Sequence, residues 1–157
     1  MAKWGSCDFR QLEQFQKRLE KLQKADMQKF CRAVAKELAA RLLRKVILRT
    51  PVGKYPKSSG KVGGTLRRGW TGEQDMNATA YAASLPIAQT GNTYTITIIN
   101  PVHYAAYVEY GHRTRGGKGW VEGKFMLTKS EMELEGQLPK IIEKKLMKFL
   151  GDSFNND

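Results

Sequence analysis

Gly53-Lys54-Tyr55-Pro56-Lys57-Ser58-Ser59-Gly60-Lys61 carries the glycines, lysines and hydroxyls from which phosphate-binding loops are made. In such a loop backbone amides converge on phosphate oxygens, which requires Gly, four residues and then Gly-Lys-Ser/Thr between a strand and a helix. Here Val62 follows Lys61, and the segment comes after an expected helix, so the spacing fails. His103, Glu109 and His112 form a second group with acid–base and metal-binding chemistry. The histidines are nine residues apart and Glu109 comes six after His103, so they lack the i, i+4 spacing that sets two ligands on one helix face. A helix-end histidine, with Glu109 paired to Arg67 or Arg113, is the better reading of this group. Cys7 and Cys31 have no paired-ligand spacing and indicate neither a zinc site nor a disulfide framework. No catalytic residue, metal ligand or cofactor is assigned, and the chain is expected not to be an enzyme.

The elements that hold these residues follow from apolar periodicity. Leu12, Phe15, Leu19 and Leu22 predict an amphipathic helix over 8–24. Asp26 can cap a second helix, whose stripe Phe30, Val34, Leu38, Leu42 and Val46 is widened by Ala35, Ala39 and Leu43. Pro51 disfavours helix at Thr50 and ends it near Arg49. Lys29, Arg32, Lys36 and Arg44 fall on the opposite face. Residues 52–64, rich in glycine, serine and lysine, read as a mobile basic loop. A first strand is expected around Trp70, 74–89 gives no clean period, and 93–99 is a strong strand with Tyr94, Ile96 and Ile98 on one face. Asn100 as N-cap, Pro101 in the first turn and Gly111 at the C-terminus predict a central helix of about three turns. A last helix should start between 124 and 130, with a kink or break at Gly136 and Pro139. The expected fold is α+β: long N-terminal helices and a C-terminal helix packed on a small antiparallel sheet, with a short central helix. Residues 1–150 form a single domain, and 151–157 a frayed tail.

A chain of 157 residues suits one domain. No apolar run reaches the ~20 residues that span a bilayer, and no signal peptide is visible, so a soluble cytoplasmic product without membrane contact is expected. The net charge of +12 is localised. Residues 1–70 hold 18 Lys or Arg against 5 acids, 71–110 hold none against 3, and 111–157 hold 9 against 7. Such asymmetry fits a surface facing nucleic acid or an acidic partner, or a solvated helix face. Tyr104, Tyr107 and Tyr110, with Trp70 and Trp120, admit core packing, a subunit interface or stacking on bases.

Thr50-Pro51-Val52, Gly64, Leu66-Arg67, Gly69-Trp70 and the run Tyr104 to Gly111 occur in an order that resembles the neck and tail-completion proteins of long-tailed bacteriophages. The loop before Gly64 is longer than in that pattern, and Gly69 stands where it has a serine. The resemblance implies a non-enzymatic virion protein at the head–tail junction, made in the host cytoplasm. It would join the head-closure side to the tail tube as a cyclic homo-oligomer, taken as a hexamer, with head-closure and tail proteins as neighbours and packaged DNA in the channel. Candidate contact residues are Lys54, Lys57, Lys61, Arg67, Arg68, Arg113, Arg115 and Lys118. Trp70, Tyr104, Tyr107, Glu109, Tyr110 and Gly111 are the candidate core and motif residues. The alternative is a small basic nucleic-acid-binding protein whose N-terminal helices grip phosphates.

Overall fold

The computed structural model describes residues 13, 14, 16, 17 and 24–155. The helix expected over 8–24 lies outside the described residues except for 13, 14, 16 and 17, which are helical. Helix α1 (Lys24–Arg49) is the axis of the fold. Short helices α2 (Thr65–Gly69) and α3 (Ala78–Ser84) follow, then strands β1 (Ala88–Thr90) and β2 (Thr93–Thr95). Helix α4 (Ala105–Tyr110), strands β3 (Gly111–Arg113) and β4 (Trp120–Glu122) and helix α5 (Met126–Asn155) complete the chain. The strands form two separate antiparallel pairs, β1 with β2 and β3 with β4. The architecture is α+β, with the sheet component reduced to two hairpins.

Several elements differ from expectation for identifiable reasons. The segment leading to Trp70 is helical: Leu66 and Trp70, four residues apart, both turn into the core while Arg68 between them is exposed, and a strand would set all three on one face. Alanines dominate 78–83 because α3 lies against α1, burying Ala78 and Ala82 beside Ala39 and Ala40. Asn77 caps α3 by accepting from Ala80 N at 2.9 Å. The strand expected over 93–99 pairs only as far as Thr95, although Tyr94, Ile96 and Ile98 are half-buried and their neighbours exposed, as the alternation requires. The β1–β2 register continued by two residues would set Pro86 opposite Thr97, and proline has no N–H to extend the ladder. Asn100 is not the N-cap of α4, a place taken by Tyr104. Its amide instead donates to Leu66 O at 2.8 Å, while its side-chain oxygen accepts from Val102 N at 3.2 Å, closing a turn around Pro101. α4 therefore has six residues instead of three turns. α5 passes Gly136 and Pro139 without a break and is helical through Asn155.

The fully buried residues are Leu43, Val46, Thr50, Met126 and Ser130, together with Ala82. On α1 the core thus follows Ala39, Leu43 and Val46, while Leu38 and Leu42 are only half-buried. α5 runs antiparallel to α1: Phe30 meets Phe149 with ring centroids 4.7 Å apart, Lys145 bridges Glu37, and Lys45 and Arg49 both bridge Glu133. Hydrogen bonds from Lys45 and then Arg49 hold the Glu133 carboxyl down at about 2. Burial pushes the Glu37 carboxyl up, but hydrogen bonds from Lys145 and Arg41 outweigh it, and the net direction is downward.

Thr50 terminates α1 and joins it to α2. Its hydroxyl donates to Val46 O at 2.6 Å and accepts from the Trp70 indole N–H at 2.8 Å. Its carbonyl, one of the orphan acceptors at a helix C-terminus, receives the Arg67 guanidinium through Nε at 3.2 Å and a terminal nitrogen at 2.7 Å. Gly69 lets this unit close, since a Cβ there would lie 2.3 Å from Asn100 Oδ1 and 2.8 Å from Val102 Cγ2. A serine at 69 would therefore force Asn100 away from its bond to Leu66. Thr50→Val keeps the shape but leaves a buried indole N–H without an acceptor. It should lower unfolding stability by about 1–3 kcal/mol in urea melts, and a melt equal to wild type would show that the bond contributes nothing.

Candidate assembly surface

The segment from α4 to α5 is organised by Glu109, which is 5% exposed. Its carboxylate accepts from Leu127 N at 2.9 Å through one oxygen, and from Thr128 N at 2.9 Å and Thr128 Oγ1 at 2.8 Å through the other. These amides are orphan donors in the first turn of α5, where negative charge also meets the positive end of the helix dipole. Glu109 thus caps a helix from outside it and pairs with neither Arg67 nor Arg113. The carbonyls of Val108 and Glu109 accept from Lys124 N at 2.8 Å and Phe125 N at 3.0 Å, fixing the chain as it enters α5. Gly111 sits at φ +88°, and a Cβ there would lie 2.5 Å from Val121 O. Its ψ of 171° leads straight into β3, so it joins helix to strand and is not a left-handed helix cap. A Cβ on Gly123 would in turn lie 2.4 Å from Glu109 O, so the two glycines let the hairpin press against the end of α4.

The hairpin carries Arg113, Arg115 and Lys118 outward, and all three are exposed. Thr114 shapes its tip: Thr114 N donates to Gly119 O at 2.9 Å, Gly117 N to Thr114 O at 2.9 Å and Gly119 N to Thr114 Oγ1 at 3.0 Å. A second exposed loop carries Lys54, Lys57 and Lys61. One turn of 3-10 helix (Lys57–Ser59) shapes its tip, and Lys61 lies 5.8 Å from the centre of the Tyr55 ring. Arg68 is exposed and ties the end of this loop to α2 through Gly63 O at 3.2 Å. Arg67, expected among the contact residues, is instead half-buried and committed to the Thr50 carbonyl.

The basic charge of α1 is largely used within the subunit, although Lys29 is exposed with no side-chain partner among the described residues. On α1, Arg32 donates to Gln89 Oε1 at 2.8 Å, Lys36 holds the Ala83 and Leu85 carbonyls at the end of α3, and Arg44 donates to Thr79 Oγ1 at 2.9 Å. Arg41, Lys45 and Arg49 are in the ion pairs of α1 and α5. The face expected to be solvated is thus largely used to fasten α3, β1 and α5. In contrast, Lys54, Lys57, Arg113, Arg115 and Lys118 make no side-chain hydrogen bond or ion pair among the described residues. They are displayed to whatever the protein meets.

The aromatic residues also divide. Trp70 is 4% exposed and Tyr104 packs against the core. Tyr107 and Tyr110 are 58% and 61% exposed, which corrects their expected core placement. Tyr107 faces His112 with ring centroids 5.8 Å apart, and Trp120, also exposed, lies over Gly111. His103 is at the edge of Tyr104, so the two histidines are not brought together with Glu109. Among the described residues no group of His, Cys, Asp and Glu could hold a metal ion, and no helix is long and apolar enough to cross a membrane. Cys31 is a free, half-buried thiol, and Cys7 lies outside the described residues.

Replacing Glu109 by Ala removes the cap of α5 without touching the hairpin cations. It should cost about 1–3 kcal/mol and raise amide exchange at Leu127 and Thr128 before it changes α1. Unchanged protection at those two amides would remove Glu109 from this role.

A protein-family model described as "Bacteriophage HK97-gp10, putative tail-component" matches residues 13–111. No curated protein and no solved structure matches the chain. The match takes in α1, the Thr50–Arg67–Trp70 unit and α4, and it ends at the glycine that turns α4 into β3. Covering well over half of the sequence, it shows that the chain belongs to the HK97-gp10-like family of bacteriophage tail components.

Proposed function

We propose that this tail component is a ring-forming subunit of the head–tail junction, closing six-fold on itself between the head-closure proteins and the tail tube. It would be assembled in the host cytoplasm and act by assembly, without chemistry. The observation that carries this reading is the use of the positive charge: α1 spends most of its cations inside the subunit, while two glycine-containing loops present theirs with no side-chain hydrogen bond or ion pair among the described residues. Large apolar side chains left exposed, among them Leu48, Val62, Ile99, Met132 and Met147, also suit a subunit that buries surface on assembly. A heterologous contact between identical subunits closes into a ring when the rotation permits. In such a ring 52–64 is a mobile arm that orders against a neighbour, and the exposed loop cations meet carboxylates or the DNA in the channel.

The alternative, a small nucleic-acid-binding protein gripping phosphates with its N-terminal helices, requires free cations along those helices, of which α1 is the one described in full. On α1, Arg32, Lys36, Arg44, Lys45 and Arg49 are engaged and Lys29 is left exposed, a balance that favours the assembly reading. Replacing Arg113, Arg115 and Lys118 together by Ala should leave the thermal melt unchanged and impair the joining of heads to tails, seen as separate particles by electron microscopy. Joining at the normal rate would show that the hairpin cations are only solvated.

A further inference from the structure

A groove of about 750 Å³ lies between α1 and α3, lined by Ile47, Leu48, Met76, Ala78, Ala80 and Ala83. It is apolar and open, and Leu48 on its wall is 74% exposed, an arrangement costly to leave in water. Arg44 also lines it, but its guanidinium is held by Thr79. The turn that leads into Met76 carries Glu73 and Asp75, both exposed and neither in an ion pair among the described residues. No Lys or Arg occurs from 71 to 110, so the chain at this edge of the groove is acidic, while Arg44 supplies a positive charge on the α1 side.

The 52–64 loop has complementary chemistry. Every residue from 51 to 62 is exposed, including Tyr55 at 50% and Val62 at 75%. Its base is pinched shut, since a Cβ on Gly63 would lie 2.0 Å from Gly53 O. It contains three lysines and no acid. Tyr55, Val62 and the loop's root share a cleft with Tyr104 and Val108, and the loop shares no lining residue with the groove of its own subunit.

From these observations we infer that the 52–64 arm of one copy docks in the α1–α3 groove of a second copy, Tyr55 and Val62 covering its apolar lining and Lys54, Lys57 and Lys61 meeting Glu73 and Asp75. Arm and groove are different surfaces of one subunit, so the contact is heterologous and repeats from copy to copy. The inference rests on the ring reading and names the interface that makes the ring. Opposite charges at its edge would fix the register, while the apolar contact supplies most of the affinity.

Cysteine pairing tests it in a chain carrying Cys7→Ser and Cys31→Ser. Val62→Cys combined with Met76→Cys should give a ladder of disulfide-linked oligomers under oxidising conditions, and neither single substitution should do so. Independently, Glu73→Lys with Asp75→Lys should weaken self-association in sedimentation equilibrium by about tenfold or more at low salt. Adding Lys54→Glu, Lys57→Glu and Lys61→Glu should restore it. All these positions are exposed, and circular dichroism should show an unaltered fold. An oligomer of normal strength with neither a ladder nor a charge-reversal effect would overturn the docking and leave the ring standing. A wild-type chain that remains monomeric at every concentration, with no ladder from the paired cysteines, would overturn both.

Discussion

The rest of the fold depends on how α1 ends. A long helix that stops inside a protein leaves carbonyls without donors, and at Thr50 those groups are satisfied by side chains from the next element along the chain. The Arg67 guanidinium takes the Thr50 carbonyl and the Trp70 indole takes its hydroxyl, so α2 has one place to sit. With α2 fixed, Asn100 reaches Leu66 over the bare surface of Gly69 and brings in the segment that starts α4. Threonine, arginine, tryptophan and glycine, scattered over twenty residues, are thus parts of one hydrogen-bonded unit.

Glu109 plays the corresponding part at the other end of the core. Capping α5 from a different helix couples the orientation of α5 to that of α4, and the β3–β4 hairpin is clamped between them. The hairpin's cations are therefore carried on a rigid base: two glycines remove the side chains that would keep strand and helix apart, and a threonine sets the tip. The family match stops at Gly111, so the cap's acceptor lies within the matched region and its donors lie beyond it.

Much of this was legible in the sequence where a single period decided the outcome. The end of α1 at Arg49 followed from Pro51, and the inward set Tyr94, Ile96 and Ile98 followed from alternation, whereas Asp26, expected as the cap of α1, lies inside its first turn. What could not be read locally was set by distant partners. Whether Arg67 is a surface cation or a helix cap depends on a carbonyl seventeen residues earlier, and whether Asn100 caps α4 depends on a carbonyl thirty-four residues earlier. The same holds for the charge. Composition counts lysines and arginines, but only packing shows that Lys36 is spent on the end of α3 while Lys54 is spent on nothing within the subunit. Leu66 and Trp70, four apart with Arg67 and Arg68 between them, fit a helix turn and one face of a strand equally, and the strand-like character of tryptophan pointed to the strand.

The proposed ring subunit should associate without any nucleic acid present. The mass of the purified chain in solution, followed by light scattering across concentration, tests this most directly. A single closed oligomer, of six subunits, that forms without nucleic acid and persists at high salt is the expected result. A monomer at every concentration, gaining mass only when a nucleic-acid fragment is added and losing it as salt rises, would contradict it.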